Sequence, residues 1–551
     1  MFLLKKEGVY METQLAELLF PNIDKEPSYY EKIYPKRSEK VVTRFAPSPT
    51  GFVHLGSLYA AFLNRMFADQ ENGIFYVRIE DTDQKREVEN GVLKIKEGLD
   101  YFNIDVDESP FNEGNYGPYI QSHRSDIYQT YVKDLVKKGL AYPCFCTEEE
   151  LKNIRREQES LKIVTGYYGK WAVCRNMSFD EIKKRIENNE SYVIRLRTPN
   201  ISDEKVECVD LIKGSIYFPV NNIDIVLLKS DGLPTYHLAH VIDDHLMHTT
   251  HVIRGDEWLS SMPLHLQLAS VLGFETPNYV HISPLTKKEG KSIRKLSKRK
   301  DPELAISYYQ EMGIPVEALK LYFATITNSN FEEWYNQNPT KNISDFNFTF
   351  NKMPVGGTLF DIDKLINISK TYFSLKDKED LYEESLEYFK EFDSYFYDIL
   401  IEDKEYTLKV LNIEKERKRV RKDISCYKDI KEETWYMFDK SFCDMASYNA
   451  EALNYNFEIL DEYLNTYLTL NSEEEWYAKV KELAIKFGYA PAVKAYKENP
   501  DNYKGHVGDI CEIIRVVLTT KRTTPNLFEI QCILGIDQIK KRFNNFKNFY
   551  L

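Results

Sequence analysis

The sequence has no apolar run of about 18 or more residues and no secretory signal pattern at its start, where acidic residues soon follow the few apolar ones. We therefore expect neither a membrane protein nor a secreted one. Cysteine is scarce, with 8 among 551 residues, which excludes the disulfide framework of small secreted domains. A reducing compartment fits this composition better, and we predict a cytoplasmic protein.

The chain also lacks an excess of positive charge, since its net charge is −13. A negative sum argues only weakly against nucleic-acid binding, because the distribution of charge matters more than its total. Residues 287–300 carry eight Lys or Arg against one Glu, and residues 415–422 carry six against one acid. Each stretch is either a solvated face or a surface that contacts RNA.

The length of the chain is too great for a single hydrophobic core, so we expect roughly three to five domains. An α/β pattern opens the first of them. Residues 41–45 predict a strand, residues 55–72 a helix, and residues 74–79 a second strand that is apolar enough to be buried on both faces of a parallel sheet. Residues 80–83 then follow at the carboxyl end of that strand, where open α/β sheets bind ligands.

The later parts of the chain differ in pattern. Residues 125–235 indicate an insertion that begins with a cysteine cluster, and the α/β pattern resumes at residues 236–281. A linking region follows to about residue 375. The remainder is rich in Tyr, Lys and Glu at helical spacing and predicts an all-helical segment.

A phosphate site is predicted where RFAPSPTG (residues 44–51) runs into HLGS (residues 54–57). A helix N-terminus offers unpaired N–H groups and partial positive charge to a phosphate. Gly51 and Gly56 let the ligand approach the backbone closely, and His54 can donate a hydrogen bond to a phosphate oxygen. A lone His-x-Gly at a helix start is more often chance, so the prediction depends on the long motif around it.

A second motif, KLSKR at residues 295–299, places paired lysines on a predicted loop. Lys298 is suited to neutralise the charge that builds on pyrophosphate, with Lys295 assisting, because lysine acts as a mobile point charge. Without the first motif, a solvated basic loop would be the simpler interpretation.

The two motifs together resemble those of the class I aminoacyl-tRNA synthetases. RFAPSPTG and RIEDTD (residues 78–83) are similar to the bacterial glutamyl-tRNA synthetases, and the resemblance covers residues 40–370 in wording and the rest only in pattern. It implies that the glutamate carboxylate attacks the α-phosphate of ATP, and that the 2′-hydroxyl of the tRNA terminal ribose then attacks the adenylate. A carboxylate is already a nucleophile, so positioning and charge stabilisation suffice for catalysis.

The resemblance also implies the site residues. The catalytic positions are His54, Gly56, Lys295 and Lys298. The ATP-binding positions are Gly51, His54, Gly56, Ser57, Lys295, Leu296, Ser297, Lys298 and Arg299. The glutamate-binding positions are Arg44, Ala46, Ser48, Glu80, Tyr236, His240, Arg254 and Trp258. Arg44 is expected to pair with the substrate side chain, because a guanidinium binds a carboxylate in two places. His240 stands where some family members have Asn.

The implied fold is an α/β, Rossmann-like class I synthetase catalytic domain with an inserted acceptor-binding domain and an all-α C-terminal anticodon-binding region. The predicted divisions are an N-terminal extension (1–38), the two catalytic halves (39–124 and 236–281), the acceptor-stem-binding insertion (125–235), a stem-contact region with the KLSKR loop (282–375), and the helical anticodon-binding region (376–551). Residues 519–528 resemble the last helical region of the family.

Two further groups of residues have competing interpretations. Five histidines (His237, His240, His245, His248 and His251) suggest a metal site, but we favour pocket and surface roles because their spacing does not aim them at one point. Asp81, Asp83, Arg86, Tyr119, Gln121, Ser122 and Arg124 fall in motifs of the family. For these, a structural ion-pair network and direct ligand contact are equally acceptable.

Cys144, Cys146 and, about 30 residues on, Cys174 have spacing that can hold zinc. The cluster resembles the zinc site in the acceptor-binding insertion of some glutamyl-tRNA synthetases, where a tyrosine is the fourth ligand. We assign Tyr168 to that place, with Tyr167 and Cys208 as alternatives. The competing interpretation is three buried cysteines in a strand-rich lobe without metal.

The resemblance thus predicts a monomeric glutamate–tRNA ligase that uses ATP, Mg²⁺ and one structural Zn²⁺ if the cysteines bind metal. Its partners are L-glutamate and tRNA(Glu), and no membrane. One alternative also charges tRNA(Gln). Another, the short paralogue that glutamylates a modified tRNA base, conflicts with the long segment after residue 370. An inactive tRNA-binding protein conflicts with the presence of Arg44, His54 and Lys298.

Overall fold

A computed structural model of the chain describes residues 2–51, 53–83, 88–199, 203–297, 299–418, 420–448, 457–467 and 472–550. It contains two compact units. Unit 1 consists of Met1–Ile306 and Phe323–Phe360, and unit 2 consists of Ser307–Tyr322 and Asp361–Leu551.

The helices and strands are numbered in chain order. The helices are α1 Phe2–Leu19, α2 Pro27–Ile33, α3 Leu55–Gln70, α4 Gly91–Tyr101, α5 Ser125–Lys137, α6 Glu148–Ser160, α7 Phe179–Glu187, α8 Tyr236–Leu246, α9 Met262–Leu272, α10 Ile306–Met312, α11 Val316–Thr327, α12 Phe331–Gln337, α13 Ile362–Leu375, α14 Lys378–Phe392, α15 Ser394–Glu402, α16 Lys404–Leu411, α17 Tyr427–Thr434, α18 Asp439–Met445, α19 Phe457–Tyr467, α20 Glu473–Lys486, α21 Val493–Glu498, α22 Val507–Thr519 and α23 Leu527–Tyr550. The strands are β1 Val42–Phe45, β2 Ile74–Val77, β3 Ala141–Cys144, β4 Val193–Leu196, β5 Lys205–Asp210, β6 Gly214–Pro219, β7 Val226–Leu228, β8 His251–Gly255, β9 Asn278–Ile282, β10 Leu285–Glu289, β11 Ser292–Lys295 and β12 Thr358–Leu359.

Parallel strands form the centre of unit 1. Strand β1 pairs with β2 in parallel, and β8 pairs with β9 in the same way. The N–H of Thr250, just before β8, donates to Val42 O at 3.0 Å, which places β1 beside β8. All four residues of β1 are buried, as expected for a sheet covered on both faces. The predicted α/β fold is therefore confirmed.

Helix α3 begins where the motif predicts it. The backbone N–H of Ser57 donates to the ring of His54, which is the N-cap residue. Apolar residues such as Leu58 and Phe62 bury one side of the helix. The helix ends at Gln70, and the chain turns into β2 at Ile74, within two residues of the prediction.

The inserted segment contributes to two sheets. Strands β3, β4 and β7 form an antiparallel sheet of their own. The hairpin of β5 and β6 instead joins the edge of the parallel strands, because Asp210 of β5 pairs with Tyr279 of β9. The sequence pattern predicts that the α/β arrangement resumes only at residue 236, but strand β5 of the insertion already pairs with β9 in the sheet of parallel strands.

The N-terminal extension packs on α5. Lys133 of α5 is buried and donates to Glu17 at 2.7 Å and to the carbonyl oxygens of Phe20 and Ile23 at 3.3 and 2.6 Å. Since these carbonyls lie beyond the end of α1, Lys133 holds this part of the extension against α5, and Lys137 adds an ion pair with Glu26 at 2.8 Å.

Unit 2 has a helical core built from α13 to α23. Its buried side chains are largely aromatic and branched aliphatic residues, such as Phe389, Ile430 and Ile514. From Asp361 onward, the described residues contain no strand beyond an isolated bridge between Ala490 and His506, which confirms the all-α prediction. No helix within the described ranges is long and apolar enough to cross a membrane.

Candidate active site

A cavity of about 600 Å³ opens at the carboxyl ends of β1, β2, β8 and β9, the edge at which open α/β sheets bind ligands. It collects most of the predicted site residues from distant parts of the chain. Those that line it are Arg44, Ala46, Ser48, Gly51, His54, Gly56, Ser57, Glu80, Tyr236, Arg254, Trp258, Lys295 and Leu296. His240, Ser297 and Arg299 are not among the lining residues, and Lys298 lies outside the described residues.

One part of the cavity wall, formed by Arg44, Glu80, Tyr236, Arg254 and Trp258, is termed the amino-acid end. Arg44 and Arg254 expose only 4% and 6% of their surface. The rings of Tyr236 and Trp258 lie with their centroids 4.3 Å apart. A buried guanidinium attracts a carboxylate more strongly than an exposed one, because water screens it less. This end of the cavity suits a small anionic ligand.

Asp244 of α8 is a buried carboxylate shared by two arginines. Its Oδ1 accepts from Arg78 at 2.7 Å, and its Oδ2 accepts from Arg44 at 3.4 Å. Burial raises the pKa of Asp244, but the charges of Arg78 and Arg44 outweigh burial and hold the pKa below its usual value. The contact from Arg44 is the longer and weaker one, so a substrate carboxylate has only a weak internal partner to displace.

Glu80 stands between these cations and the cavity. Its Oε1 accepts from Arg78 at 3.1 Å. Burial raises the pKa of Glu80, and the nearby charges of Arg78 and Arg44 offset this only in part. A ligand ammonium group beside Glu80 would compensate the buried negative charge, which is a favourable arrangement for an amino acid.

Arg254 is fixed by contacts on every side. Its Nε donates to His281 at 3.0 Å, and one terminal nitrogen donates to the hydroxyl of Tyr236 at 3.1 Å. The other lies 3.4 Å from Trp258 O and 3.3 Å from His265 Nδ1. Burial raises the pKa of Tyr236 to about 12, so its hydroxyl remains protonated.

His240 lies behind this wall rather than on it. Only 1% of its surface is exposed, and it contacts Asp244 at 3.1 Å through Nδ1 and the Tyr279 hydroxyl at 3.4 Å through Nε2. Burial, followed by the charge of Arg254, lowers its pKa well below the usual value. Helix α8 thus turns this side chain toward the core, and the contact of His240 with glutamate stays a prediction.

The opposite part of the wall, formed by Gly51, His54, Gly56, Ser57 and Lys295, is termed the phosphate end. The N–H of Ser57 donates to Nδ1 of His54 at 3.1 Å, which leaves the proton of a neutral ring on Nε2. A Cβ at Gly56 would lie 3.2 Å from the His54 ring. A side chain at this position would thus crowd the imidazole, which lies over the helix N-terminus.

Lys295 differs from the prediction of a loop lysine, since it ends β11 of a hairpin with β10. Its side chain is 58% exposed and lies 3.3 Å from Glu257, which also lines the cavity. The next residues turn away: the N–H of Ser297 donates to Asp301, whose carboxylate also accepts from Arg294 at 2.6 Å. The hydrogen bond from Arg294 lowers the pKa of Asp301 to about 2.

The acidic motif of residues 78–83 and the residues 119–124 form hydrogen bonds inside the fold. Asp81 accepts from the N–H and hydroxyl of Ser122 at 2.8 and 2.5 Å. Arg124 and Gln121 donate to the buried Asp243 at 2.7 and 2.9 Å. These contacts match the structural-network interpretation. Asp83 lines the cavity, Tyr119 donates to Glu108, and Arg86 lies outside the described residues.

The five histidines do not converge. His237 and His240 both pack against His265, His245 contacts Glu31, His248 contacts Tyr34 O, and His251 packs against Phe67. Among the described residues, the group with metal-ligand geometry is Cys144, Cys146 and Cys174.

The three cysteine sulfurs lie within 4.8 Å of one another. The tyrosine beside them is Tyr167, whose hydroxyl is 3.3 Å from the sulfur of Cys146 and accepts from the N–H of Cys174. This corrects the assignment of Tyr168, whose hydroxyl donates to Val164 O.

Cys208, the other alternative, packs between Val252 and Tyr279 in the parallel sheet. Hydrogen bonds from Cys146 and Cys174 lower the pKa of Cys144, which favours a thiolate in the cluster.

Several residues of the site escaped sequence reasoning. Asp244, His265, His281 and Asp210 support the wall from behind, and no motif marks them. Glu257 is the exception, since it stands between the two predicted pocket residues Arg254 and Trp258 in RGDEW.

Comparison with known proteins gives consistent results. The family described as "tRNA synthetases class I (E and Q), catalytic domain" matches residues 40–367. The glutamate–tRNA ligase of Acetivibrio thermocellus is 46% identical over 538 residues, covering 96% of this chain and 98% of that protein. That of Clostridium beijerinckii is 45% identical, covering 97% and 99%. The crystal structure of glutamate–tRNA synthetase from Elizabethkingia anophelis has a TM-score of 0.73 at 30% identity and covers 92% of this chain and 99% of its own.

Proposed function

The chain belongs to the class I tRNA synthetases of the glutamate and glutamine type, and from that premise we propose that it is a glutamate–tRNA ligase. It activates L-glutamate with ATP to glutamyl-adenylate, releases pyrophosphate, and transfers the glutamyl group to the 3′ end of tRNA(Glu). Relatives with that name match nearly the whole chain, including the helical unit.

One observation carries the proposal. A single cavity holds two buried arginines and a buried carboxylate on one side and a capped helix N-terminus with an exposed lysine on the other. Glutamate carries two carboxylates and an ammonium group, and ATP carries the triphosphate. The charges of the wall are complementary to both substrates placed end to end.

At the amino-acid end, Arg44 binds the side-chain carboxylate of glutamate. Glu80 and Ser48 lie around the ammonium and α-carboxylate groups, and Arg254 with Tyr236 completes the wall. The α-carboxylate needs no base, since it is ionised at neutral pH. The buried wall excludes water, which strengthens each of these contacts and orients the carboxylate for attack.

At the phosphate end, the N–H groups of α3 and Nε2 of His54 donate to phosphate oxygens. Gly51 and Gly56 allow this approach, and Lys295 with Lys298 offsets the charge that develops on pyrophosphate. Magnesium accompanies ATP in this family, and the carboxylates of Asp83 and Glu257 line the cavity with oxygen donors of the kind that Mg²⁺ prefers. When bound, the ion neutralises phosphate charge.

The cysteine cluster fits a structural zinc ion. Three thiols within 4.8 Å and a phenolic oxygen beside them form a donor set that zinc accepts. We propose that Cys144, Cys146 and Cys174 hold it, with Tyr167 as the fourth group, and that the ion stabilises the inserted segment. Metal analysis of the purified chain should find about one zinc per chain, and Cys174→Ser should lose it. A chain without zinc at full activity would contradict this assignment.

Aminoacylation itself tests the main proposal. Purified chain, ATP and labelled glutamate are incubated with tRNA(Glu) and tRNA(Gln) in parallel. Labelling of tRNA(Glu) alone identifies a discriminating ligase, and labelling of both identifies the variant that also charges tRNA(Gln). Labelling of neither would overturn the catalytic proposal.

The remaining expectations concern the state of the protein. None of the eight cysteines, all of which the structure describes, forms a disulfide, which supports a reducing, cytoplasmic environment. We propose a monomer, and light scattering should give a mass near the 64.9 kDa of one chain. A mass twice as large would contradict it.

A further inference from the structure

Two of the buried residues behind Arg254, Asp210 and His281, form a chain of hydrogen bonds that leads to it, and no motif marks either of them. The carboxylate of Asp210, at the end of β5, accepts from the backbone N–H of His281 at 2.9 Å and lies 2.8 Å from Nδ1 of the same residue. Nε2 of His281 lies 3.0 Å from Nε of Arg254. The three residues expose 2%, 0% and 6% of their surface.

The donors and acceptors of this chain determine where the protons lie. Nε of Arg254 can only donate, so Nε2 of His281 accepts and the ring proton is on Nδ1, where it faces Asp210. The other oxygen of Asp210 accepts from the N–H groups of Ile212 and Lys213 at 2.9 and 2.8 Å. These hydrogen bonds stabilise the ionised carboxylate, which accepts the Nδ1 proton of His281. Burial raises the pKa of Asp210, but His281 and these N–H groups hold it below its usual value.

The far side of Arg254 faces the cavity. One terminal nitrogen donates to Tyr236, and the other lies near the carbonyl oxygen of Trp258, and both of these residues line the amino-acid end. The contact with His281 is the one that fixes Nε, and together with the contacts of the terminal nitrogens it holds the plane of the guanidinium.

We propose that Asp210 and His281 are positioning residues for glutamate binding, which hold Arg254 in the orientation that receives the amino acid. This inference depends on the proposed function, because it takes Arg254 as a contact of glutamate. Asp210 belongs to the segment inserted between the two halves of the α/β pattern. The insertion thus supplies part of the support of the amino-acid pocket.

Asp210→Asn tests the proton arrangement directly. With its oxygen toward the turn, the Asn would present its NH₂ group to both the backbone N–H and Nδ1 of His281, so the backbone N–H would lose its acceptor and the ring would favour the other tautomer. Nε2–H of His281 would then oppose Nε–H of Arg254, and two donors would meet. We expect the KM for glutamate to rise about tenfold, with the KM for ATP and for tRNA changed less than about twofold.

Asp224→Asn is the matched control. Asp224 is also a fully buried carboxylate of the inserted segment, but it accepts from Arg175 and Thr198, away from the cavity. Both variants should lose thermal stability, whereas only Asp210→Asn should raise the KM for glutamate. Should Asp210→Asn fail to fold, His281→Phe keeps a ring in the core, removes the acceptor for Arg254 and has the same expected effect.

A double-mutant cycle distinguishes positioning from general damage. If Asp210 acts through Arg254, then Asp210→Asn should add less than about twofold to the KM effect of Arg254→Lys. An unchanged KM for glutamate in folded Asp210→Asn, or full additivity with Arg254→Lys, would overturn the inference while the wild-type chain still charges tRNA. A wild-type chain that charges no glutamate would overturn the proposed function and this inference with it.

Discussion

The two ends of the cavity hold their charges in opposite ways. At the amino-acid end, Arg44 and Arg254 are buried and each contacts groups behind the wall. At the phosphate end, Lys295 is 58% exposed and contacts one carboxylate, that of Glu257, which is itself 51% exposed. We call the amino-acid end dry, because its charged side chains are buried and held in place, and the phosphate end wet, because its lysine is exposed to water and can change its orientation.

The difference follows from what each end must do. Selecting glutamate requires rejecting other amino acids, and a buried charge that lacks its proper partner is costly, so burial gives selectivity. The leaving pyrophosphate gains charge during the reaction, and a flexible lysine can follow it. An exposed ion pair contributes about 0–1 kcal/mol, whereas breaking a buried one costs about 3–5 kcal/mol. Substitutions at the two ends should therefore differ strongly in size and kind.

The largest effect is expected for Arg44→Ala. Loss of a buried partner for the substrate carboxylate should lower kcat/KM for glutamate about a thousandfold, as measured by tRNA charging. Arg65→Ala is the control, since Arg65 forms its ion pairs with Asp69 and Asp107 at the surface of α3. A glutamate KM equal to that of the wild type would show that Arg44 does not bind the substrate.

Lys298→Ala should give the next largest effect. Turnover should fall about a hundredfold because the charge on pyrophosphate loses a partner, while the KM for glutamate and the affinity for tRNA stay near wild type. This expectation derives from the motif, since Lys298 is outside the described residues. Lys300→Ala, at an exposed position on the same segment, should leave turnover unchanged. Near-normal turnover of Lys298→Ala would mean that the phosphate end works without it.

The pH dependence of Tm tests whether His240, behind the amino-acid end, is buried away from water. Because burial and the charge of Arg254 lower the pKa of His240 from 6.5, the folded chain binds fewer protons than the unfolded chain below that pH. Stability is therefore lost as the pH falls through 6.5. In His240→Asn, the decrease in Tm between about pH 7.5 and about pH 5.5 should be smaller by about 1–2 °C.

The matching control for this measurement is His123→Asn, at an exposed histidine, which should leave the pH dependence of Tm unaltered. An identical Tm decrease in the wild type and His240→Asn would show that His240 is hydrated rather than buried.

Salt should give the smallest contrast. Exposed charges are screened by ions and buried ones much less, so raising salt from about 50 to about 200 mM should increase the KM for ATP about two- to threefold. The KM for glutamate should change by less than half as much. Equal salt dependence of the two constants would contradict the division of the cavity into a dry end and a wet end.

The number of basic residues in a stretch does not reveal how many of them contact other parts of the protein. In residues 415–422, Arg417 pairs with Glu473 and Glu529, and Arg421 pairs with Asp423. Lys415 donates to the carbonyl oxygens of Phe373 and Lys376. These three bases thus stabilise the helical unit, and the sequence shows no sign of this for Lys415 and Arg417, because their partners are distant along the chain.

Local motifs predicted the fold and most of the cavity wall. The strand–turn–helix at residues 42–70 needs only an apolar strand, a capping residue and glycines, and these are neighbours in the sequence. The three cysteines predicted to hold zinc lie together, but the tyrosine beside them is not the one assigned from the sequence. The tyrosine is Tyr167 because that side chain points into the core and is 4% exposed, whereas Tyr168 is turned outward to the Val164 carbonyl.

The sequence by itself determined the fold class, the family and the types of charge at the two ends of the cavity, because these depend on short motifs whose residues are close in the chain. Tertiary structure alone decided that His240 lies behind the wall and that Asp210, His281 and Arg254 form one buried chain of hydrogen bonds. Their orientation depends on how β5, β8 and β9 lie side by side in one sheet, and strand neighbours are separated by long stretches of sequence.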